Sequence, residues 1–331
     1  MRKITINLAA VAAFCIVVAS PALVSSSCAT PKTEQEDTTI IREDSGITAL
    51  KYSSPEVPAS IEFCGKTIDL SRFDRHERMD RELLAFTYMH STSLQMLKKA
   101  NRYFPIVEPI LKENGIPDDF KYLMVIESNM NPTARSSAGA AGLWQFMQGT
   151  GRDYGLEVNN NVDERYHIEK ATRAACRYLK DAYAKYKDWV AVAASYNAGQ
   201  ARIASQLAKQ DVDDSLDLQL VEETARYVYR ILAAKQLFNA PTTFGFRLRA
   251  SDLYPPIPYT EITVTKGIAD LARFARSKGI NLAILKKREF EIKSKNSKLS
   301  VIDKLYVNGG LLFKKAVCRD SRQGVGYKVT E

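Results

Sequence analysis

From about Arg78 to about Phe238 the apolar positions recur every three to four residues, and no strand-like alternation interrupts them. Ile168, Ala171, Ala175, Tyr178, Leu179, Ala182 and Tyr186 mark one face of an amphipathic helix, and Tyr227, Ile231, Ala234 and Leu237 mark another. In the segment that opens at Ile116, Pro117 suits a first helical position and Asp118 and Asp119 complement the helix dipole. Pro132 forbids continuation, so a helix of about 13 residues is expected there. The block reads as all-α. After Pro241 the texture changes. PPIPYTEITVTKG supplies prolines and then a short β-branched alternation, IADLARFARSKG and INLAILKKREF read as two short helices around Gly279, and Asn308-Gly309 marks a hairpin.

The flanks have another character. Arg2 and Lys3 precede an apolar run, Leu8 to Ala19, that falls short of the ~20 residues needed to span a bilayer. Small residues follow, so residues 1–27 read as a secretory signal. Cys28 then begins a polar stretch like the tether of a bacterial lipoprotein, although Ser25 stands where Leu, Val or Ile is usual. Lipid attachment at Cys28, simple secretion and an uncleaved anchor all remain open. Residues 28–77, with Pro31, Pro55 and Pro58, read as a polar linker, residues 78–246 as the helical domain, and residues 247–331 as a small α+β module with a basic tail.

Composition narrows the function classes. The chain is 45% hydrophobic and 26% charged, which excludes collagen-like and wholly disordered proteins. Its net charge of +9 belongs to the ends: residues 286–331 hold 12 Lys/Arg against 5 Asp/Glu, and Arg2 and Lys3 supply the rest. The main domain is therefore neutral, and a nucleic-acid footprint across it is not expected. The five cysteines, Cys15, Cys28, Cys64, Cys176 and Cys318, form no C-x-x-C and have no His at zinc spacing, so no metal site is expected. Cys176 reads as a buried small hydrophobe.

The sharpest chemical signal is IPDDFKYLMVIESNMNPTARSSAGAAGLWQFM. On its helix Phe120, Leu123, Met124 and Glu127 occupy i, i+3, i+4 and i+7, so a carboxylate stands where the core stripe calls for a hydrophobe. Burial there would raise its pKa toward the range useful to a general acid, a change of about 2 units or ~3 kcal/mol. The plain alternative is that Glu127 turns to solvent or pairs with an arginine. The following SSAGAAGLWQF carries the glycines of a tight loop laid against something. SYNAG at 195–199 and ETARYV at 223–228 put tyrosines beside amide or carboxyl groups at helix ends.

Together and in this order, the four stretches resemble the catalytic domain of the soluble lytic transglycosylases, of the membrane-bound lytic murein type with Trp in its Gly-Leu-Trp-Gln motif. The likeness covers about Glu82 to Phe246. It implies a goose-lysozyme-like helical fold with a glycan cleft, no cofactor, and an exported enzyme of the periplasm or outer membrane. By position it makes Glu127 the catalytic acid. Ser136, Gln145, Met147, Tyr196, Asn197, Glu223 and Tyr227 become substrate-binding residues. Ser137 replaces a common Pro and Ser195 a common Ala.

The implied reaction cleaves the β-1,4 bond between N-acetylmuramic acid and N-acetylglucosamine without water, leaving a 1,6-anhydro end. The alternatives are a hydrolase of the same fold and a non-catalytic peptidoglycan-binding lipoprotein. Hydrolysis needs a second acid. Asp153 and Asp163 are the candidates, each also readable as a solvated loop or cap residue. Trp144 is open between stacking on a sugar and anchoring its loop. The strand-helix-helix order after Pro255 resembles a LysM module, a glycan-gripping family, and reads equally as a plain α/β appendage.

Overall fold

The computed structural model describes residues 54–159, 163–212, 214–257, 259–263, 268, 270–288, 304–308 and 311–312. The expected signal and Cys28 lie outside the described residues.

The first element is a hairpin inside the stretch expected to be linker. Strands β1 (Ser60–Phe63) and β2 (Lys66–Asp69) pair antiparallel, with Ile61 opposite Ile68. Cys64 and Gly65 both have positive φ, 53° and 82°, which lets two residues turn the chain with the twist of the strands. The alternation buries Ile61, Phe63 and Ile68, and Leu70 follows them into the helical core. The linker reading is thus corrected from residue 60 onward. Its polar composition hid two four-residue strands whose inward side chains complete the core. Their attachment is polar as well: the Cys64 amide donates to the Asp119 carboxylate at 2.7 Å, and Lys235 Nζ reaches the Glu62 carbonyl at 2.7 Å and Asp119 Oδ2 at 2.9 Å.

Eight helices follow: α1 (Phe73–Tyr88), α2 (His90–Glu113), α3 (Phe120–Ser128), α4 (Gln148–Asp153), α5 (Ile168–Tyr186), α6 (Trp189–Ala198), α7 (Gln200–Gln210) and α8 (Glu222–Asn239). Helix α6 is the centre of the bundle. Val190, Ala191, Val192, Ala193, Ala194 and Ser195 are all buried, and it is packed by α5, α7 and α8. A helix apolar all round can only be surrounded, and its small side chains let the neighbours approach closely. Its start is fixed by Asp188, whose carboxylate accepts from the Val190 and Ala191 amides. Helix α5 has the register predicted, with Ala171, Ala175, Leu179 and Ala182 buried and the Cys176 thiol beside them. Burial pushes that thiol up to about 11.

Helix α3 is shorter than the pattern suggested. Residues 117–119 form tight turns, with Phe120, Lys121 and Tyr122 amides donating three residues back at 3.0–3.1 Å. Asp119 is drawn off to Lys235 and the Cys64 amide, and Asp118 to Lys121. At the other end Asn129 and Met130 both adopt left-handed φ, so the helix stops before Pro132 acts. Glu127 consequently sits in the last turn of α3.

Beyond α8 the chain is strapped to α2. The Tyr254 amide donates to the Lys98 carbonyl at 3.0 Å, Asn101 Nδ2 to the Tyr254 carbonyl at 3.2 Å, and Arg102 Nε to the Pro255 carbonyl at 3.0 Å. Lys98 and Arg102 also face the Tyr254 ring at 5.6 and 5.3 Å. After the strap come β3 (Tyr259–Thr263), α9 (Leu271–Ser277), α10 (Leu282–Arg288), β4 (Lys304–Asn308) and β5 (Leu311–Leu312). β4 pairs antiparallel with both β3 and β5, and β3 and β5 run parallel. The expected strand-helix-helix order and the hairpin following Asn308 are both present.

Candidate active site

Helix α3 delivers Glu127 from its last turn, and α8 delivers Tyr227 against it. The Tyr227 hydroxyl donates to Glu127 Oε1. The Glu127 side chain is half-buried: the carboxyl is enclosed by protein while part of its surface stays open to solvent. Loss of hydration raises its pKa to about 7, against the opposing pull of the Tyr227 hydrogen bond and the Arg230 charge and with a smaller push from Glu223. Tyr227 is 3% exposed, and burial next to this carboxyl drives its own pKa far up, so the phenol keeps its proton. Tyr196 on α6 is raised for the same reasons, desolvation first and the Glu127 charge second.

The glycine-rich loop is tied to this pair through Tyr196. The Tyr196 hydroxyl donates to the Trp144 carbonyl at 2.7 Å. Trp144 is fully buried, and its indole N–H donates to Thr172 Oγ1 at 2.9 Å, so it anchors the loop; the sugar-stacking alternative is set aside. Gln145, at φ 47°, turns its amide back to the Ala134 and Gly142 carbonyls at 3.2 and 2.7 Å. Gly142, at φ 80°, lies so near the next segment that a Cβ would stand 1.9 Å from the Arg165 carbonyl oxygen.

Arg165 is the element the sequence did not reveal. It is 1% exposed, and its guanidinium donates to the Gly139 and Phe146 carbonyls at 2.7 and 2.8 Å, clasping both ends of the loop. Asp163 holds it through two 2.8 Å bonds. Asp163 is therefore a buried ion-pair partner and not the solvated loop or cap residue expected, because the loop needs a fixed cation and a buried cation needs a carboxylate. Nothing in a lone D-x-R marks that role in advance. Asp153 is exposed at the end of α4.

The remaining expected residues divide. Asn197 Oδ1 accepts from the Thr224 hydroxyl at 2.9 Å and ties α6 to α8. Glu223 is exposed in the first turn of α8, and its charge reaches Glu127. Ser136 Oγ accepts from the Ala140 amide at 3.0 Å and closes its own turn. Met147 is 46% exposed at the start of α4. The structure joins Glu127, Tyr227, Tyr196 and the 142–145 loop through hydrogen bonds and shared electrostatics; Ser136 and Met147 are not among the groups that shift the Glu127 pKa. Among the described residues no group of three or more His, Cys, Asp or Glu is placed to hold a metal, and no helix is long and apolar enough to cross a membrane.

A mainly helical bundle with a half-buried carboxyl bonded by a buried tyrosine is the class of protein defined so far. Residues 105–217 match the family model "Transglycosylase SLT domain". Over 215 residues, 63% of the chain, it is 28% identical to the membrane-bound lytic murein transglycosylase D of Escherichia coli strain K12, and covers 46% of that protein. Over 138 residues it is 30% identical to the peptidoglycan transglycosylase gp16 of Escherichia phage T7, covering 40% of this chain and 10% of that one. The 70 kDa soluble lytic transglycosylase of Escherichia coli has 18% identity, covers 54% of this chain and 33% of its own, and superposes with a TM-score of 0.40. The chain thus spans about half the length of the first of these relatives.

Proposed function

We propose that the protein is a lytic transglycosylase of the bacterial cell envelope, acting on peptidoglycan strands, with residues 78–246 as its catalytic domain. The observation that carries this is Glu127: a carboxyl with a pKa raised to about 7, bonded by a buried tyrosine and electrostatically coupled to Tyr196, which holds the glycine-rich loop, within the stretch that matches the SLT family model. An acid with that pKa is about half protonated at neutral pH, so it can give a proton and take one back.

In the reaction, protonated Glu127 donates to the oxygen linking N-acetylmuramic acid to N-acetylglucosamine, and the bond to the muramyl C1 breaks. The resulting carboxylate, held by the Tyr227 hydroxyl, then takes the proton from the muramyl C6 hydroxyl as its oxygen closes on C1. The product is the 1,6-anhydro ring, and Glu127 ends protonated. One carboxyl suffices. The occupation of Asp163 by Arg165 and the exposed place of Asp153 favour this over a two-carboxyl hydrolysis. Gln145, Met147, Tyr196, Asn197, Glu223 and Ser136 would bind the strand around it. The β3-α9-α10-β4 unit would add a LysM-like grip on the same glycan, and Cys28 a lipid anchor.

Mass analysis of sacculus digests tests this. Muropeptides lighter by one water than lysozyme products are expected; reducing ends would mark a hydrolase, and no release a binding protein. Tyr227→Phe tests the carboxylate's support. Losing a hydrogen bond to the ionised form removes a pull that lowers the Glu127 pKa, so the midpoint rises. Hydrogen bonds to charged groups are worth ~1.5–3 kcal/mol, so the basic limb of the pH–rate profile should move up by about 1–2 pH units while kcat falls. A limb that stays in place would separate Tyr227 from the acid's chemistry.

A further inference from the structure

We propose that Glu82 is a positioning residue for the proposed acid: its buried carboxylate holds the Arg230 guanidinium and so keeps it out of an ion pair with Glu127. The proposal rests on the reading of Glu127 as the proton donor.

The geometry comes from the packing of α1 on α8. Glu82, on α1, is 1% exposed, and both its oxygens face arginines of α8: Arg226 Nε donates to Oε1 at 2.6 Å and Arg230 Nε to Oε2 at 3.5 Å. Arg226 and Arg230 are one helical turn apart, and Tyr227 lies between them in sequence, three residues before Arg230. The helix that brings Tyr227 to Glu127 therefore brings a guanidinium to the same neighbourhood.

The titratable groups that act on Glu127 are Tyr227, Arg230 and Glu223 from α8 and Tyr196 from α6, and Arg230 alone among them is a cation. A guanidinium directly paired with a carboxylate typically lowers its pKa by 1–3 units. Such a pair would take away the proton that the first step requires. The 3.5 Å bond from Arg230 is the longer of the two, so this arginine is restrained at one end while its charge still reaches Glu127. A buried carboxylate that spends its two oxygens on two arginines leaves neither free to settle on the acid.

The test uses the full chain and follows the Glu127 carboxyl by difference infrared titration, with Glu127→Gln as the blank, alongside the pH–rate profile on sacculi. In Glu82→Gln, Arg230 loses its partner and turns to Glu127. The midpoint should fall by about 1–2 pH units from its value of about 7, and the rate at pH 7 by roughly tenfold. Adding Arg230→Met should return the midpoint to about 7 or above, a rescue that a purely structural role for Glu82 would not give. An unmoved or rising midpoint in the single variant, or a double variant that stays low, overturns the proposal. Should Glu82→Gln not fold, Arg230→Met alone is expected to raise the midpoint, and an unchanged one overturns the proposal equally. A parent protein that titrates as described yet releases no muropeptide overturns the activity, with the infrared shift still reporting on Glu82.

Discussion

Glu127→Gln is expected to cut muropeptide release by a factor of about 10² to 10⁴, the usual worth of a positioned general acid, with glycan binding nearly unchanged. Glutamine keeps the shape and accepts the Tyr227 hydrogen bond but has no proton to give to a leaving oxygen. The same substitution carries a second, independent signature. The Glu127 pKa is raised from 4.5 to about 7, so the folded protein binds this proton more tightly than the unfolded chain. Its stabilising contribution is fully present below pH 4.5 and is lost as pH rises through about 7, a difference of roughly 3 kcal/mol. Glu127→Gln should therefore be more stable than its parent at pH 8 by up to about that amount and near parity at pH 4.5, by urea unfolding at the two pH values. Full activity in the variant removes Glu127 from the reaction, and equal stability at pH 8 removes the buried acid.

Gly142→Ala should cost about 3 kcal/mol or more. Positive φ alone costs an alanine about 1–2 kcal/mol, and the added methyl would meet the Arg165 carbonyl at 1.9 Å. That oxygen belongs to backbone beside a side chain clamped by Asp163 and by both ends of the loop, so it has little freedom to withdraw. Movement has to come from the loop, which carries the Trp144 carbonyl away from the Tyr196 hydroxyl. Activity is expected to fall further than stability explains. A variant within about 0.5 kcal/mol of its parent, the range of ordinary surface substitutions, would show the approach is not tight.

What the sequence revealed and what it hid follow from the physics of each element. The long amphipathic periodicities of α5 and α8 were legible because one repeated spacing sets the whole buried face. The β1-β2 hairpin was not, since two four-residue strands with two buried positions in β1 and one in β2 carry too short an alternation to stand out from a polar stretch. The length of α3 was overestimated because Asp118 and Asp119, read as dipole partners, are committed to Lys121 and Lys235, and two left-handed residues end the helix early. Glu127 was visible as an acid on an apolar stripe. Arg165 was not, because its partners are mostly backbone carbonyls, which leave no mark in side-chain order. Glu82 and Arg230 are an intermediate case: the position of Arg230 three residues after Tyr227 is readable, but its counter-ion lies on another helix.

The strap through Tyr254 and Pro255 sets a leash length. The chain is held to α2 as far as Pro255, and β3 begins at Tyr259, so only three positions of sequence, 256–258, separate the strap from the strand. Three residues extend about 10 Å at most. A grip on the glycan by the last part of the chain would thus be exerted within a few sugar units of a fixed exit point, at high local concentration and with little freedom to wander. Loosening Tyr254 would lengthen that stride without touching either end.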